Sequence, residues 1–506
     1  MKLGFLCRAA GIDCPRNEYE REISAICVDS RRAVSGCLYI CIRGLRTDGH
    51  RYIEEAIRNG ATAILMQEGS EIPTREDAIL LSAKDTRSAC AILFDAWYGF
   101  PSQKLRFIGV TGTNGKTSVT HMLRHILECS FYRVGLIGTV GCTSAGKAIP
   151  MQSHNPLANM TTPDPEDLYS LLAQMAEDGV EYVLMEVTSH ALALGKLAPI
   201  RFCMAIFTNL TPEHLDFHGD MEHYANTKAM LFEKSECAVI NLDSPYAQRM
   251  MRHCAGRIRT CGRDGGADYT YESAQVDSQG VSYRLLSQNF NLQIRCPVSG
   301  NFTVVNSMQA AIGAIELGIG AGAVKDALAS LGGVKGRLER VRLDFDADFR
   351  VFIDYAHTPD ALENLLRTAR EICPVSGRIV LVFGCGGERD QSKRAPMGRI
   401  ATDLADWVIV TSDNSRGEDP DTIIEQILLG IKKNNYTVIP DRSEAIRHAV
   451  MTAKSQDIIL LAGKGHEEYE ITGSGKKPFY EKEIVRKAFD ARQKRKKSTG
   501  ERESGI

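Results

Sequence analysis

Residues 104–118 read KLRFIGVTGTNGKTS, and no other stretch limits so sharply what this chain can fold into. Its apolar run, Leu105 to Val110, is broken only by Arg106 and has the composition of a buried strand. Three glycines, Gly109, Gly112 and Gly115, fall within seven residues; Lys116, Thr117 and the amphipathic run VTHMLRHILE come next and predict a helix. A strand, a glycine turn and a helix together present backbone N–H groups and a helix N-terminus to a phosphate. In such a turn the lysine reaches the β- and γ-phosphates and the threonine hydroxyl ligates Mg²⁺. Gly112, Thr113, Asn114, Gly115, Lys116, Thr117 and Ser118 are therefore the candidate ATP-binding loop. The loop departs from G-x-x-x-x-G-K-[ST] at one place, where Val110 stands in the position of the first glycine. A glycine turn without a ligand is the plainer alternative. The flanking strand and helix argue against it.

The chain has 506 residues, enough for three or four domains at roughly 100–200 residues each. Hydrophobic residues make up 43% and charged residues 25%, so ordinary globular cores can form. The net charge of −2 gives no ground for a nucleic-acid or membrane partner. Fifteen scattered cysteines without a C-x-x-C pair indicate neither a zinc site nor a disulfide framework, and reduced thiols in a cytoplasmic protein are the simplest account. Arg8 interrupts the short apolar patch at the N-terminus, which makes a poor signal peptide, and no apolar run approaches the ~20 residues of a membrane span.

Residues 1–102 read as a small α/β domain. Strands are expected at Ile23–Val28 and Cys37–Ile42, then a helix and strand in TDGHRYIEEAIRNGATAILMQ, and a linker at 96–103. Residues 103–340 alternate strands (Phe107–Val110, Tyr182–Glu186, Met204–Phe207, Ala238–Asn241) with helices near 116–129, 166–178 and 221–233. That pattern argues for a mostly parallel sheet. A β-rich insertion at about 257–297 and a helix in NFTVVNSMQAAIGAIELG complete this part. In residues 341–491, FRVFIDYAHTPDAL, RIVLVFGCGG, WVIVTSDNSRGEDP and DIILLAGKGHEEYE are apolar strands ending in polar loops. In open α/β sheets, ligands bind at such strand ends. The basic stretch 492–506 is expected to be a disordered, solvated tail.

YVLMEVTSHAL places Glu186 and Thr188 at a strand end, where a carboxylate could meet Mg²⁺. His190 could bind substrate or metal, or cap a helix. His214, Asp216 and His218 alternate in an HxDxH string. Zinc is conceivable there, but beside a phosphate loop, contact with Mg²⁺ and phosphate is the favoured reading. Lys228 reads by itself as a surface lysine. TTPDPEDL offers Thr161 and Thr162 before a Pro-initiated helix, with simple N-capping as the alternative. GCGGERDQSKR holds Arg389, Lys393 and Arg394, an anion clamp. Asp413, Asn414 and Arg416 in SDNSRGEDP mix charges in a way that suits an amino acid, and GKGHEEYE adds Gly463 and Glu467. Solvated turns are the alternative for both loops.

Taken together, these strings resemble the Mur ligase family over nearly the whole chain. The resemblance rests on DSR at 29–31, DGH at 48–50, GVTGTNGKTS, TTPDP, MEVTSHAL, FTNLTPEHLDFHG, DYAHTPDAL, FGCGGERDQSKR, TSDNSRGEDP and GKGHE. Within the family they look like the members that add the third residue of the peptidoglycan stem peptide. The resemblance implies an α/β protein of three domains: a small N-terminal domain for the uridine nucleotide, a central P-loop ATPase with a mostly parallel sheet, and a Rossmann-like C-terminal domain. It implies ATP and Mg²⁺ as cofactors, UDP-N-acetylmuramoyl-L-alanyl-D-glutamate and meso-diaminopimelate as substrates, no nucleic-acid or membrane partner, and a monomer. Carried over residue by residue, Ser30 contacts the uridine end, and Thr161, Thr162, Thr188 and Lys196 contact the muramoyl-peptide. Lys116, Glu186, His214 and Lys228 are the catalytic set, and Thr117, Glu186, His214 and a carbamylated Lys228 hold metal. Asn306 and Arg337 fall on the nucleotide side. Arg389, Asp413, Asn414, Ser415, Arg416, Gly463 and Glu467 form the amino-acid pocket.

Three positions depart from the family pattern. Met160, after Asn159, replaces an asparagine. Lys196 replaces an arginine, keeping charge but losing the bidentate fork. Ser415 replaces a proline, which leaves that loop freer. Arg416 suits the far carboxylate of meso-diaminopimelate, which L-lysine lacks. The lysine-adding reaction and a folylpolyglutamate-type ligase are the alternatives.

Overall fold

The computed structural model describes residues 1–506 apart from 45–46, 71–76, 150–160, 264, 278, 344–346 and 504–506. Asn159 and Met160 therefore lie outside the described residues. The chain divides into two compact units, Met1–Gly112 with Leu127–Leu210 and His218–Thr260, and Thr113–Ile126 with Thr211–Phe217 and Cys261–Ile506.

In the first unit a parallel sheet runs in the order Ile26–Cys27, Cys37–Ile40, Ala61–Gln67, Ile79–Ala83. Its first strand is shorter than the apolar run predicts. Asp29 accepts a hydrogen bond from Arg31 N and turns the chain into a 3₁₀ turn at Ser30–Arg32, which takes Val28 out of the ladder. Part of a larger sheet has the order Cys237–Asn241, Phe202–Phe207, Arg106–Thr111, Tyr182–Glu186, Val134–Gly138, Gly141–Ser144, Lys147–Ile149. Pairing is parallel up to Val134–Gly138, and the last two strands form antiparallel edges. The central strands are apolar throughout because both faces are covered: Phe107, Ile108, Val183, Leu184, Ala205 and Ile206 have no exposed surface. Val110 pairs with Glu186 and Ile206 inside this sheet, so the residue that breaks the glycine pattern belongs to the strand and not to the turn. Val134–Gly138 and its hairpin escaped the sequence reading, since two strands of three and four residues carry little periodicity.

The second unit holds an antiparallel set, Tyr269–Asp277, Gly280–Ser287 and Asn291–Cys296, within the predicted β-rich insertion. It also holds a six-stranded sheet in the order Glu339–Arg340, Arg350–Asp354, Ile458–Ala462, Ile379–Phe383, Trp407–Val410, Tyr436–Val438, parallel after its first strand. The helix Pro359–Ile372 shows how sequence fixes an element. Thr358 caps it by accepting from Ala361 N, proline occupies its first turn, and Leu362, Leu365, Leu366, Ala369 and Ile372 form its buried stripe.

The tail does not follow the expectation of disorder: its backbone continues the helix Glu481–Glu503. Lysine and arginine are good helix formers, and Val485, Ala488 and Phe489 anchor the helix in the core. Arg492 is buried, donates from Nη1 to Val450 O at 2.6 Å and lies 4.9 Å from the Phe349 ring.

Candidate active site

In the second unit, the turn at Thr113–Gly115 leads into the helix Lys116–Cys129. Gly115 has φ +87°, and a Cβ there would lie 2.6 Å from Asn306 Oδ1, so glycine is required for Asn306 to pack on the loop. Lys116 Nζ folds back to Thr113 O at 2.8 Å. Asn114 Nδ2 donates to Asp360 Oδ2 at 2.6 Å, and Thr113 Oγ1 bonds Thr211 O at 3.1 Å. Arg337 Nη2 donates to the Thr117 hydroxyl at 2.9 Å while its guanidinium stacks on Tyr355 at 4.8 Å. Asn306 and Arg337 thus meet the loop. Asp360 was missed; it lies in DYAHTPDAL, but nothing in that string says which loop it reaches.

Four parallel strands of the same unit end together in polar loops, beginning at Tyr355, Gly384, Thr411 and Gly463. Asp413, Asn414, Ser415 and Glu467 are all buried there. Asn414 Nδ2 donates to Glu467 Oε2 at 2.7 Å. Arg416, with φ +52°, donates from Nη1 to Gly387 O at 2.8 Å, and its own N–H bonds Ile471 O at 3.0 Å. Gly463 has φ +111°, and a Cβ would lie 2.4 Å from Asp413 Oδ2. Burial and then the neighbouring Asp413 charge push the Glu467 carboxyl up. Burial would also raise Asp413, but Lys464, Arg442, the Asn414 N–H and Arg416 hold it below the ordinary carboxylate range. Arg389 borders this group, its positive charge helping to hold Arg416 down after burial has done most of that. Arg394 instead turns into the fold, fully buried on Glu418 at 2.9 Å, so it is structural and not part of an anion clamp. Lys393 is half-buried, donating from Nζ to His357 O at 2.8 Å.

In the first unit, Glu186 ends its strand with both carboxylate oxygens held by Thr139: Oε1 accepts from the backbone N at 3.0 Å and Oε2 from Oγ1 at 2.9 Å. Thr139 Oγ1 also meets Thr161 Oγ1 at 3.1 Å. Thr162 Oγ1 donates to Glu186 O at 2.9 Å and lies 3.4 Å from Thr188 Oγ1, and Thr188 caps the next helix by accepting from Ala191 N. Lys196 Nζ is buried, 2.8 Å from Asp164 Oδ1 and 3.4 Å from Thr162 O. Asp164 therefore serves this cation and not the helix N-terminus, which it flanks without a side-chain cap bond. The four muramoyl-peptide candidates and Glu186 form one cluster. Thr139 was missed, since a lone threonine after an apolar run carries no signal. Lys228, expected on the surface by composition alone, is buried: Nζ donates to Gly112 O at 3.0 Å and lies over Tyr224. Gly112 has φ +146°, and a Cβ there would fall 1.9 Å from Thr208 Oγ1. Ser30 is separate from this cluster; its hydroxyl donates to Glu55 at 2.6 Å.

Among the described residues no group of three His, Cys, Asp or Glu side chains converges on a metal position. His218 is buried on Ser189 Oγ at 2.8 Å with His190 packed edge-on against it. His214 is largely exposed, at φ +55° beside Glu213. No helix among the described residues is long and apolar enough to cross a membrane. All fifteen cysteines are free thiols.

A glycine loop at a helix N-terminus, a caged strand-end carboxylate and a buried mixed-charge pocket are the parts of an ATP-dependent acid–amine ligase. Three domain models match the chain in order: Mur ligase family, catalytic domain, at 22–98; Mur ligase middle domain at 110–314; and Mur ligase, glutamate ligase domain, at 336–465. The chain belongs to the Mur ligase family. It is 42% identical over 479 residues to the UDP-N-acetylmuramoyl-L-alanyl-D-glutamate–2,6-diaminopimelate ligase of Syntrophomonas wolfei, covering 93% of this chain and 95% of that one. It is 44% identical over 469 residues to the enzyme of the same name from Caldanaerobacter subterraneus, covering 92% and 94%. A solved structure of such a ligase superposes with a TM-score of 0.68 at 30% identity, covering 97% of this chain and all of the other.

Proposed function

We propose that this chain is the ATP-dependent ligase that joins meso-diaminopimelate to UDP-N-acetylmuramoyl-L-alanyl-D-glutamate in peptidoglycan precursor synthesis. The observation that carries the reading is the buried group Asp413, Asn414 and Glu467 with the half-buried Arg416 beside it, which offers anionic and cationic partners in the same unit as the phosphate loop. A zwitterionic substrate with a second carboxylate uses both signs, and L-lysine leaves Arg416 without a carboxylate to meet.

In this reading the loop N–H groups and Lys116 bind the triphosphate, and the D-glutamate carboxylate, held near Thr161, Thr162, Thr188 and Lys196, attacks the γ-phosphorus. ADP leaves and an acyl phosphate remains. The free amine, oriented by Glu467, Asp413 and Asn414, adds to the acyl carbon. The tetrahedral intermediate gives up its proton and expels phosphate, leaving the amide. The protein's part is positioning and charge neutralisation. The hydroxyl and carboxylate oxygens of Thr117 and Glu186 suit a hard divalent cation. The His214 imidazole and a carbamate on Lys228 are further candidate ligands, and bound Mg²⁺ would neutralise charge on the transferring phosphoryl group. Ser30 would hold the uridine end. The working domains would be 1–102 for the UDP-sugar, 103–340 for ATP and 341–491 for the amino acid, in a cytoplasmic monomer.

The test is product analysis with the UDP-muramoyl-dipeptide, ATP and either meso-diaminopimelate or L-lysine. Tripeptide is expected with the former, and ADP release is expected to require both the nucleotide dipeptide and the amino acid. Failure to form tripeptide with either, or ATP hydrolysis without them, overturns the proposal. Activity depleted in bicarbonate-free buffer and restored by bicarbonate is expected from a carbamylated Lys228.

A further inference from the structure

Lys464 is fully buried, and the chemistry derived above gives it no task. Its Nζ donates to Asn414 Oδ1 at 2.9 Å and to Tyr469 O at 3.1 Å, and lies 3.7 Å from Asp413 Oδ1. The two ends of an asparagine amide have nearly the same shape, so only its neighbours decide which way it points. Here the neighbours are one-sided. Lys464 Nζ and the Ile471 N–H, the latter at 2.9 Å, both donate to Oδ1. That leaves Nδ2 turned toward the Glu467 carboxylate at 2.7 Å. If the amide flips, two donors face Lys464 and Ile471, and a carbonyl faces a carboxylate. Of the three bonds that prevent this, the two to the Lys464 and Glu467 side chains are charge-assisted and the stronger.

Resting on the reading of this group as the amino-acid subsite, we propose that Lys464 is a positioning residue for the amine substrate: by locking the Asn414 amide it fixes the rotamer of Glu467. One Glu467 oxygen is held by Asn414 Nδ2, and the carboxylate is thereby kept in the orientation that receives the substrate. The competing account is a simple one, in which Lys464 is only a buried counter-ion for Asp413.

The experiment is a double-mutant cycle in the full-length enzyme with Lys464→Met, Asn414→Ala and the double variant, with Glu467→Ala alongside. KM is measured separately for meso-diaminopimelate, ATP and the nucleotide dipeptide. Lys464→Met is expected to raise KM for the amino acid about tenfold while the other two constants move less than about twofold. The double variant is expected to be no worse than Asn414→Ala alone, because Lys464 acts through that amide. Lys464→Gln, which keeps a polar head, is expected to give the same split in milder form and serves if the methionine variant fails to fold. Additive effects, or equal rises in all three KM values, overturn the proposal in favour of the counter-ion. If Asn414→Ala and Glu467→Ala leave KM for the amino acid unchanged, the reading of the subsite falls and the inference falls with it.

Discussion

Asn114 Nδ2 donates to Asp360 Oδ2 at 2.6 Å, tying the phosphate loop to the first turn of a helix 246 residues further along the chain. Thr211 Oγ1 reaches the same oxygen at 3.4 Å. Asp360→Ala releases the loop side chain and forfeits about 1 kcal/mol of stability. KM for ATP is expected to rise about tenfold, with KM for the amino acid nearly unchanged. Initial rates against each substrate check this. Unchanged ATP dependence would show that the tie does not organise the loop.

The two loop glycines differ in what surrounds them. A Cβ at Gly112 meets Thr208 Oγ1 at 1.9 Å and Asn209 O at 2.9 Å, the second being backbone that cannot turn away. At Gly115 the obstacle is the Asn306 side chain at 2.6 Å. Both positions also have positive φ, which itself disfavours alanine by about 1 kcal/mol or more. Gly112→Ala is therefore expected to lower the thermal midpoint more than Gly115→Ala, and both are expected to weaken nucleotide binding by calorimetry. The reverse order of midpoints would contradict the packing described.

His121, one turn beyond Thr117, has its ring Nε2 shut from solvent with no hydrogen-bond partner among the described residues. Burial, with Arg124 and Arg337 adding to it, pushes the imidazole down to about 3. The folded value lies below the unfolded one, so folding favours the neutral ring. The stability at stake is complete above about pH 6.5 and falls as pH drops toward the folded value, by at most about 1.4 kcal/mol per pH unit. Replacing His121 by Leu is expected to flatten that part of the stability profile between pH 6.5 and 5 by about 1–2 kcal/mol. Denaturation midpoints of both proteins across this range give the comparison, and parallel curves would refute it.

Burial and Asp413 raise the Glu467 carboxyl above its ordinary value of 4.5. An ammonium is held only by the ionised form, so KM for the diamino acid is expected to climb as pH falls, starting above the usual carboxylate range. Glu467→Gln is expected to give a high KM that no longer depends on pH there. Identical acid limbs in the two enzymes would assign the titration to another group.

Arg416→Ala is expected to raise KM for meso-diaminopimelate by tenfold or so while KM for ATP stays within about twofold, since a lost charge-assisted bond is worth about 1.5–3 kcal/mol. Equal effects on both constants would remove Arg416 from the subsite.

Much of the site could be read from the chain because local rules govern it. Gly112, Gly115 and Lys116 mark a candidate phosphate loop, and strand ends at Glu186, Asp413 and Gly463 mark candidate ligand loops. The residues that escaped have partners far away in sequence. Thr139 meets Glu186 across 47 positions, and Lys464 meets Asn414 across 50. The basic stretch from 492 departs from expectation for a related reason: its composition is that of a solvated segment, but Arg492 at its start is buried against a core that composition does not reveal.

What the sequence by itself determined was the set of elements and the chemical types gathered at their ends, because apolar periodicity, caps and turn glycines act over a few residues. Tertiary structure alone decided that Lys228 is buried on Gly112 O, that Arg394 faces the fold, that Asp164 serves Lys196, and that the Asn414 amide has one orientation. Hydrogen bonds and ion pairs of this kind are set by the distance between side chains in space, and only the packed sheets bring those atoms within 3 Å or so of each other.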